Sequence, residues 1–244
     1  MTATIDEIAP DLFRITCFVE AANFQFSSFL VRDDEPMLYH TNLRGLFPNI
    51  KAGVETVLDP STIRWIGFSH FESDECGALN DWLGIAPHAE PVCSFVGART
   101  SVGDFSDRPP RVLEAGERIE TGSHTFRVIE TKHVPHGWDA SLMFEETAST
   151  LFCSDLIGQG GNVEALTEGD IIGPSLEYNE RQSEGPMSGA VPFTDETIPI
   201  LESLANMNPK TLACMHGSSF AGDCGEALRD FGTILERING KTGR

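Results

Sequence analysis

The chain has 244 residues, 40% of them hydrophobic, which is enough to bury a sizeable core. Its formal net charge of −20 disfavours binding to nucleic acid or to an anionic membrane, because both require clustered Lys and Arg. No segment approaches the roughly 20 apolar residues that cross a bilayer, and residues 1–10 lack the pattern of a signal peptide. We therefore expect one cytoplasmic domain spanning residues 1–244.

The first half of the chain alternates short strands with helices. Runs rich in β-branched and aromatic residues predict strands, and apolar residues at three- and four-residue spacing predict helices. The predicted strands are residues 11–19, 24–31, 37–40, 64–69 and 90–95, and the predicted helices are residues 50–58, 75–83 and 98–105.

The second half begins as a meander of strands and ends in two helices. Strands are predicted at residues 118–120, 125–130, 140–144, 150–154 and 211–215, and helices at residues 195–206 and 226–238. Residues 158–192 are rich in glycine and are predicted to be irregular. Strands and helices mixed along the whole chain favour an α/β fold of layered sheets covered by helices.

The six cysteines do not form a recognisable metal or disulfide framework. They are widely scattered, and no C-x-x-C pair occurs among them: Cys17, Cys76, Cys93, Cys153, Cys214 and Cys224. We expect free thiols in a reducing cytoplasm. Cys76, Cys153 and Cys214 lie within two residues of candidate ligands, and we expect them to pack beneath the candidate site without binding a metal.

The densest chemistry in the sequence lies in residues 70–75, where an apolar strand ends and a helix begins. This six-residue segment holds one histidine and three acidic residues: His70, Glu72, Asp74 and Glu75. Clustering these acids is costly without a cation to neutralise them. An acidic surface loop is the alternative interpretation.

Three later residues favour the metal interpretation. His136, Asp155 and His216 each lie at or just beyond the end of a predicted strand. Imidazole and carboxylate are ligands of borderline and hard divalent metals. His133 lies three residues before His136 and is an alternative ligand. A Ser-His-Asp site is disfavoured, because no G-x-S-x-G motif is present.

These motifs resemble, in order and spacing, the diiron domain of flavodiiron proteins and oxygen-binding diiron proteins of the metallo-β-lactamase superfamily. The matching segments are Ser69-His70-Phe71-Glu72, His136-Gly137-Trp138-Asp139, Leu151-Phe152-Cys153-Ser154-Asp155 and Met215-His216-Gly217. The resemblance implies a four-layer αβ/βα sandwich holding two iron ions, with zinc or manganese also compatible. It implies that His70, Glu72 and His136 bind one metal, that Asp74 and His216 bind the other, and that Asp155 bridges them.

Two departures from the family pattern matter for function. Glu75 stands where the family has a histidine, so it either adds a fourth carboxylate ligand or leaves an open metal position. The family's flavodoxin-like domain is missing from these residues. We therefore expect no flavin bound by this chain, and electrons from an external flavin or rubredoxin-type reductase. A homodimer is compatible with the sequence but not required by it.

The resemblance implies a diiron protein that binds and reduces O2 or NO, or that senses oxygen. The alternatives are a metal-dependent hydrolase of an ester, lactone, thioester or phosphoester, and a diiron oxygenase. Asp139 and Trp138 are expected close to the metal ligands, Asp139 either hydrogen-bonding a ligand histidine or capping a strand. His40, His88 and His124 are expected to be exposed or locally hydrogen-bonded.

Overall fold

The computed structural model describes residues 2–242, and the side chains of residues 2–240. Within them, a first sheet has seven strands in the order β1 to β7. The strands are β1 Thr4–Ala9, β2 Leu12–Val19, β3 Phe24–Val31, β4 Met37–Tyr39, β5 Trp65–Gly67, β6 Glu90–Ser94 and β7 Arg111–Leu113. Strands β1 to β4 are antiparallel, and β4 to β7 are parallel.

A second seven-stranded sheet has the order β12-β14-β13-β11-β10-β9-β8. Its strands are β8 Arg118–Glu120, β9 Thr125–Glu130, β10 Ser141–Glu145, β11 Thr150–Ser154, β12 Leu166–Thr167, β13 Thr211–Cys214 and β14 Ser219–Phe220. Strands β8 to β11 form an antiparallel meander, whereas β13 is parallel to β11. The parallel pair places the carboxyl ends of β11 and β13 at the same edge.

Helices cover the outer face of each sheet. They are α1 Phe47–Val54, α2 Ser73–Cys76, α3 Leu79–Ile85, α4 Phe95–Gly97, α5 Gly103–Phe105, α6 Ile172–Ser183, α7 Thr197–Ala205 and α8 Cys224–Thr242. A π-helical turn, Ala98–Val102, joins α4 to α5. Short 3-10 turns occupy Glu20–Ala22, Arg44–Leu46 and Pro60–Thr62.

The alternation of side chains along each strand builds the four layers. On β3, Phe29 faces the second sheet, while Leu30 faces the helices that cover the first sheet. On β11, Phe152 packs between the two sheets, while Leu151 and Cys153 pack towards α7 and α8. Because both faces of these strands are buried, their sequences are almost continuously apolar. The result is the αβ/βα sandwich that the sequence predicts.

Two predicted elements differ from the structure. Residues 158–192 are not irregular throughout, because α6 forms Ile172–Ser183 and packs against α8. The helix predicted at residues 75–83 is divided into α2 and α3. At the division, Gly77 lies so close to the Ser73 carbonyl oxygen that an added Cβ would be 2.2 Å from it.

All six cysteines are buried and free, as expected. Among residues 2–242, every helix is too short or too polar to cross a bilayer.

The buried carboxylate of Asp33 links the first sheet to the second. Asp33 follows β3 and accepts hydrogen bonds from the turn between β8 and β9, from Ser123 N (3.0 Å), His124 N (2.9 Å) and Thr121 Oγ1 (2.8 Å). His124 Nδ1 lies 2.9 Å from Asp33 Oδ2, so His124 is buried and hydrogen-bonded across the sheets. Burial opposes ionisation of Asp33, but these hydrogen bonds hold the pKa of the carboxyl well below its usual range.

We expect Asp33→Asn to lower the free energy of unfolding by about 2–3 kcal/mol at neutral pH, because several charge-assisted hydrogen bonds are weakened. A carboxyl with a depressed folded pKa stabilises the fold above its unfolded pKa of roughly 3.9, and this contribution is lost on further acidification. The difference between wild type and variant should therefore be constant from about pH 7 to 5 and shrink below about pH 4. Urea unfolding measures it, with the exposed neighbour Asp34→Asn as the control. A pH-independent difference would contradict the assignment.

Candidate metal centre

The predicted ligands meet at one edge of the sandwich, where strands from both sheets end. His70 follows β5, Asp155 directly follows β11, and His216 lies two residues after β13. His136 lies in the loop between β9 and β10. Glu72 precedes α2, and Asp74 and Glu75 lie in its first turn. Strand ends and the loops after them are where α/β folds present functional groups.

One histidine-carboxylate cluster lies at the outer side of this edge. His136 Nε2 is 2.8 Å from Glu72 Oε2, and His70 Nε2 is 3.4 Å from the same oxygen. The three residues offer ligand atoms that all lie within 4.8 Å of one another. Glu72 is 46% exposed, so this cluster is open to solvent.

A second cluster lies deeper and consists of Asp74, Glu75 and His216. His216 Nε2 is 3.3 Å from Asp74 Oδ2, and the ligand atoms of the three residues all lie within 4.8 Å of one another. Glu75 is fully buried, and its Oε2 has no hydrogen-bond partner. A buried carboxylate oxygen without a partner is costly unless a cation lies beside it.

The carboxylate of Asp155 connects the two clusters. Its Oδ2 is 3.6 Å from both His70 Nε2 and His136 Nε2, whereas its Oδ1 is 3.1 Å from His216 Nε2. Two ligands at roughly 2.1 Å from one metal are separated by roughly 3.0–3.4 Å in octahedral or tetrahedral geometry. The separations around Asp155 are close to this range, and each oxygen faces a different cluster.

The electrostatics of the site depend strongly on burial. Hydrogen bonds from His136 and His70 lower the pKa of Glu72 to about 2. Burial lowers the pKa of His216, but its hydrogen bonds to Asp155 and Asp74 outweigh that effect and raise the pKa to about 10. Burial, together with the charges of Asp155 and Asp74, raises the pKa of Glu75 well above its ordinary value. Without a cation, the raised pKa values of His216 and Glu75 favour their protonated forms, and both groups would have to release a proton in order to bind a metal.

Hydrogen bonds from outside the clusters orient the imidazoles. His216 Nδ1 donates to the Gln25 carbonyl at 2.8 Å, which leaves Nε2 directed at the carboxylates. His70 Nδ1 shares a hydrogen bond of 2.9 Å with Ser69 Oγ, and that hydroxyl lies 2.6 Å from Ser154 Oγ. Ser154 Oγ in turn donates to Glu75 Oε1 at 3.3 Å. A buried polar chain therefore links the two clusters behind the ligands.

Sequence reasoning missed Arg14, which supports the deeper cluster. Arg14 is fully buried on β2, and its guanidinium donates to Ser27 Oγ, to the Ala165 carbonyl and to the Gly217 carbonyl. Gly217 directly follows His216 and has a φ of +91°, a conformation that favours glycine. The available signal was an arginine inside the apolar strand sequence Leu12-Phe13-Arg14-Ile15.

The structure also gives the positions of four further residues that the sequence analysis considered: His133, His136, Asp139 and Trp138. His136, and not His133, lies in the metal-ligand clusters found among the described residues. The Oδ2 atom of Asp139 accepts a hydrogen bond from Phe71 N at 2.9 Å and so fixes the loop after His70, and its carbonyl accepts one from Ser94 Oγ at the end of β6 at 2.8 Å. Trp138 is 62% exposed and lies outside the lining of the cavity above the ligands.

The environment of His40 differs from the one that the sequence predicts. The sequence predicts an exposed or locally hydrogen-bonded side chain, but His40 is fully buried and neither ring nitrogen has a partner. Burial lowers the pKa of His40 to about 3, although Asp155 and Asp74 lie close enough to oppose the shift. Its ring packs 4.5 Å from that of Tyr39, so the imidazole is neutral and belongs to the wall behind the site.

Comparisons with known proteins agree with this architecture. A family model described as "ODP family beta lactamase" matches residues 24–183. A rubredoxin-oxygen oxidoreductase of Megalodesulfovibrio gigas is 24% identical over 201 residues, which cover 81% of this chain and 49% of that protein. The chain thus spans about half the length of this curated relative.

Solved structures show the same fold. The rubredoxin oxygen:oxidoreductase of Desulfovibrio gigas superposes with a TM-score of 0.80 at 20% identity, covering 97% of this chain and 62% of that one. The flavodiiron protein of Giardia intestinalis superposes with a TM-score of 0.81 at 14% identity, covering 97% and 60%. The predicted metallo-β-lactamase-like α/β fold is confirmed.

Proposed function

The chain belongs to the ODP family of beta lactamases, and on this premise we propose that it holds two irons and uses them to bind and reduce O2 or NO. The observation that carries the proposal is the position of Asp155, whose two oxygens face two different histidine-carboxylate clusters. A carboxylate in that position is suited to bridging a metal pair.

The residues present fit such a pair. Three imidazoles and four carboxylates converge there: His70, His136, His216, Glu72, Asp74, Glu75 and Asp155. The four carboxylates formally offset two divalent cations, which resolves the cost of burying acids at this edge. Glu72 and Glu75 add hard oxygen donors, which favour iron or manganese over zinc, although zinc also accepts carboxylate.

Each part of the chain has a distinct role in this proposal. Two ferrous ions, when bound, would supply electrons to O2 or NO, and the protein would position the ligands and tune the reduction potential. Gln25 and Ser69 hold the His216 and His70 rings with Nε2 towards the metals. An anionic Glu75 would stabilise the ferric state and lower the reduction potential.

The electrons are proposed to come from a separate reductase. The Megalodesulfovibrio gigas relative is named for rubredoxin and oxygen, and a rubredoxin-type or flavin donor is the corresponding partner for this chain. Without a donor, the same site would bind O2 once per reduced pair, which is the behaviour of an oxygen sensor. A metal-dependent hydrolase is the alternative, in which a metal-bound water is the nucleophile.

O2 consumption by reduced protein tests the proposal. Protein from the native host is first analysed for metals, because zinc outcompetes ferrous iron at most such sites in recombinant samples. Anaerobically reduced, iron-loaded protein is then mixed with O2. We expect O2 to be bound or consumed in proportion to iron pairs, and zinc-loaded protein to be inert. Iron-loaded protein that neither binds nor consumes O2 would overturn the proposal, and steady turnover with an added reductase would distinguish a reductase from a sensor.

A further inference from the structure

The cavity above the metal ligands is larger than a diatomic molecule requires. Its volume is about 290 Å³, whereas a water molecule occupies roughly 30 Å³ of liquid and a dry apolar cavity of roughly 150 Å³ can hold benzene. Glu72, Asp74, Asp155, His136 and His216 all line it. The cavity therefore opens directly onto the proposed metals and has room for an organic molecule of more than one ring.

By exposed area the walls of this cavity are mostly apolar, with uncharged polar side chains between the apolar ones: Asn179, Gln182, Ser183, Ser188 and Asn239. Phe24 stacks at 4.5 Å on the His216 ring and at 5.3 Å on Tyr178, forming a wall that continues into the deeper cluster. Leu235 and Ile238 of α8 and Val191 of the segment before α7 form the other sides. Tyr178 OH accepts a hydrogen bond from Gln182 Nε2 at 2.9 Å, so that part of the wall is polar but uncharged.

The charge of the lining selects among organic molecules. Among the described residues, the lining contains no Lys or Arg, and its only carboxylates are Glu72, Asp74 and Asp155. When two divalent cations balance the carboxylates of the site, no net charge faces the cavity. Only the metals themselves could hold an anionic group, because the rest of the lining offers it no basic side chain and its desolvation there would be uncompensated.

We infer that this cavity binds a neutral, largely apolar organic molecule directly above the metal site. The inference goes beyond O2 or NO reduction and uses the proposed function only in placing cations at the cavity floor. The organic molecule would be a second ligand, bound in the cavity beside the metals.

A matched pair of fluorescent probes tests the inference on zinc-loaded protein, which has no redox activity. N-phenyl-1-naphthylamine is neutral, and anilinonaphthalene sulfonate has the same ring system with an added anionic group. We expect the neutral probe to bind with enhanced fluorescence and the sulfonate to bind roughly tenfold more weakly or worse. Equal binding of both probes, or no binding of the neutral one, would overturn the inference.

Variants locate the probe. Val191→Trp should fill the cavity and weaken binding of the neutral probe roughly tenfold or more. Met187→Trp, at a 53% exposed position of the lining, provides a second blocked form should the first fail to fold. Leu43→Trp is the control, because Leu43 lines a second, largely apolar hollow with Phe71 and Phe105, which shares only Glu72 with the lining of the cavity. Loss of binding in the Leu43 variant alone would move the site to that hollow and refute the inference.

A flavin is the competing occupant, and displacement distinguishes it. If free FMN removes the neutral probe at comparable concentration, the cavity accepts an anionic cofactor and the inference fails. Because these readouts use zinc, they are independent of the O2 experiment. Inert iron-loaded protein that still binds the probe would refute only the proposed redox function, and active protein that ignores the probe would refute only this inference.

Discussion

Asp155→Ala is expected to abolish binding of both metals, with affinities lowered by more than about 100-fold. The reason is geometric: Asp155 Oδ2 faces His70 and His136, and Asp155 Oδ1 faces His216, so one substitution removes an oxygen from each cluster. A terminal ligand would affect one metal first. Elemental analysis after dialysis, with circular dichroism to verify folding, measures the outcome.

Two controls separate bridging from a general effect of nearby substitutions. His133→Ala should retain two metals, because His133 lies outside the metal-ligand clusters of the described residues. Asp139→Ala removes another acid close to the site, but one that hydrogen-bonds the backbone N of Phe71. Loss of metals confined to the Asp155 variant supports the bridge, and two metals retained without Asp155 refutes it.

The strands of the two central sheets were the part of the fold that could be predicted best from the sequence. Residues 24–31, 125–130 and 150–154 have the observed bounds, because β-branched and aromatic residues alternate or run continuously where a strand is buried. The shortest strands, such as β14 Ser219–Phe220, depend on pairing with distant segments and carry no periodic signal.

Helix α6 was missed for a related reason. Its first turn contains Gly173 and Pro174, which break a helix in its interior but are tolerated in the first turn, where the amide groups need no partner within the helix. Its apolar contacts, through Ile172 and Leu176, become favourable only when α8 packs beside it. Tertiary packing therefore forms a helix that local propensity does not indicate.

The candidate ligands could be selected from the sequence because His70, Asp155 and His216 lie at or just after strand ends, where a His or acid contrasts with the apolar run before it. The supporting residues could not. Arg14 reaches Gly217, 203 positions away, and His216 is oriented by the carbonyl of Gln25, 191 positions away. No local pattern encodes such contacts, and the buried orientation of His40 likewise follows from how the sheets pack.

Glu75 is the residue at which the chain departs from the family pattern, and its substitution should have opposite effects with and without metal. In the metal-free protein its carboxyl is fully buried beside Asp74 and Asp155, and its Oε1 accepts a hydrogen bond from Ser154 Oγ. Its Oε2 lies 3.8 Å from His70 Nε2, which is beyond hydrogen-bond distance. Burial raises its pKa well above the ordinary value. A carboxyl with a raised folded pKa destabilises the fold increasingly as pH rises above its unfolded value of roughly 4.3.

Glu75→Gln removes that penalty, so the metal-free variant should be more stable than wild type at about pH 7, by about 1–3 kcal/mol. The gain should disappear below about pH 4, where wild-type Glu75 is protonated in both states. With metal bound, the sign reverses: the anionic carboxylate becomes a ligand, and its loss should weaken binding of the deeper metal roughly tenfold or more. Urea unfolding with chelator and with zinc measures both states.

The matched control is Glu145→Gln, because Glu145 is equally buried but lies on β10 and accepts hydrogen bonds from Thr147 N (2.7 Å) and Ala148 N (2.6 Å). Its substitution should destabilise the metal-free and zinc-loaded proteins by similar amounts, as expected for a structural carboxylate. If Glu75→Gln behaved in the same way, Glu75 would also be structural, and the deeper metal would have an open position at that side. A reversal of sign between the two states is expected only if the buried charge of Glu75 faces a cation.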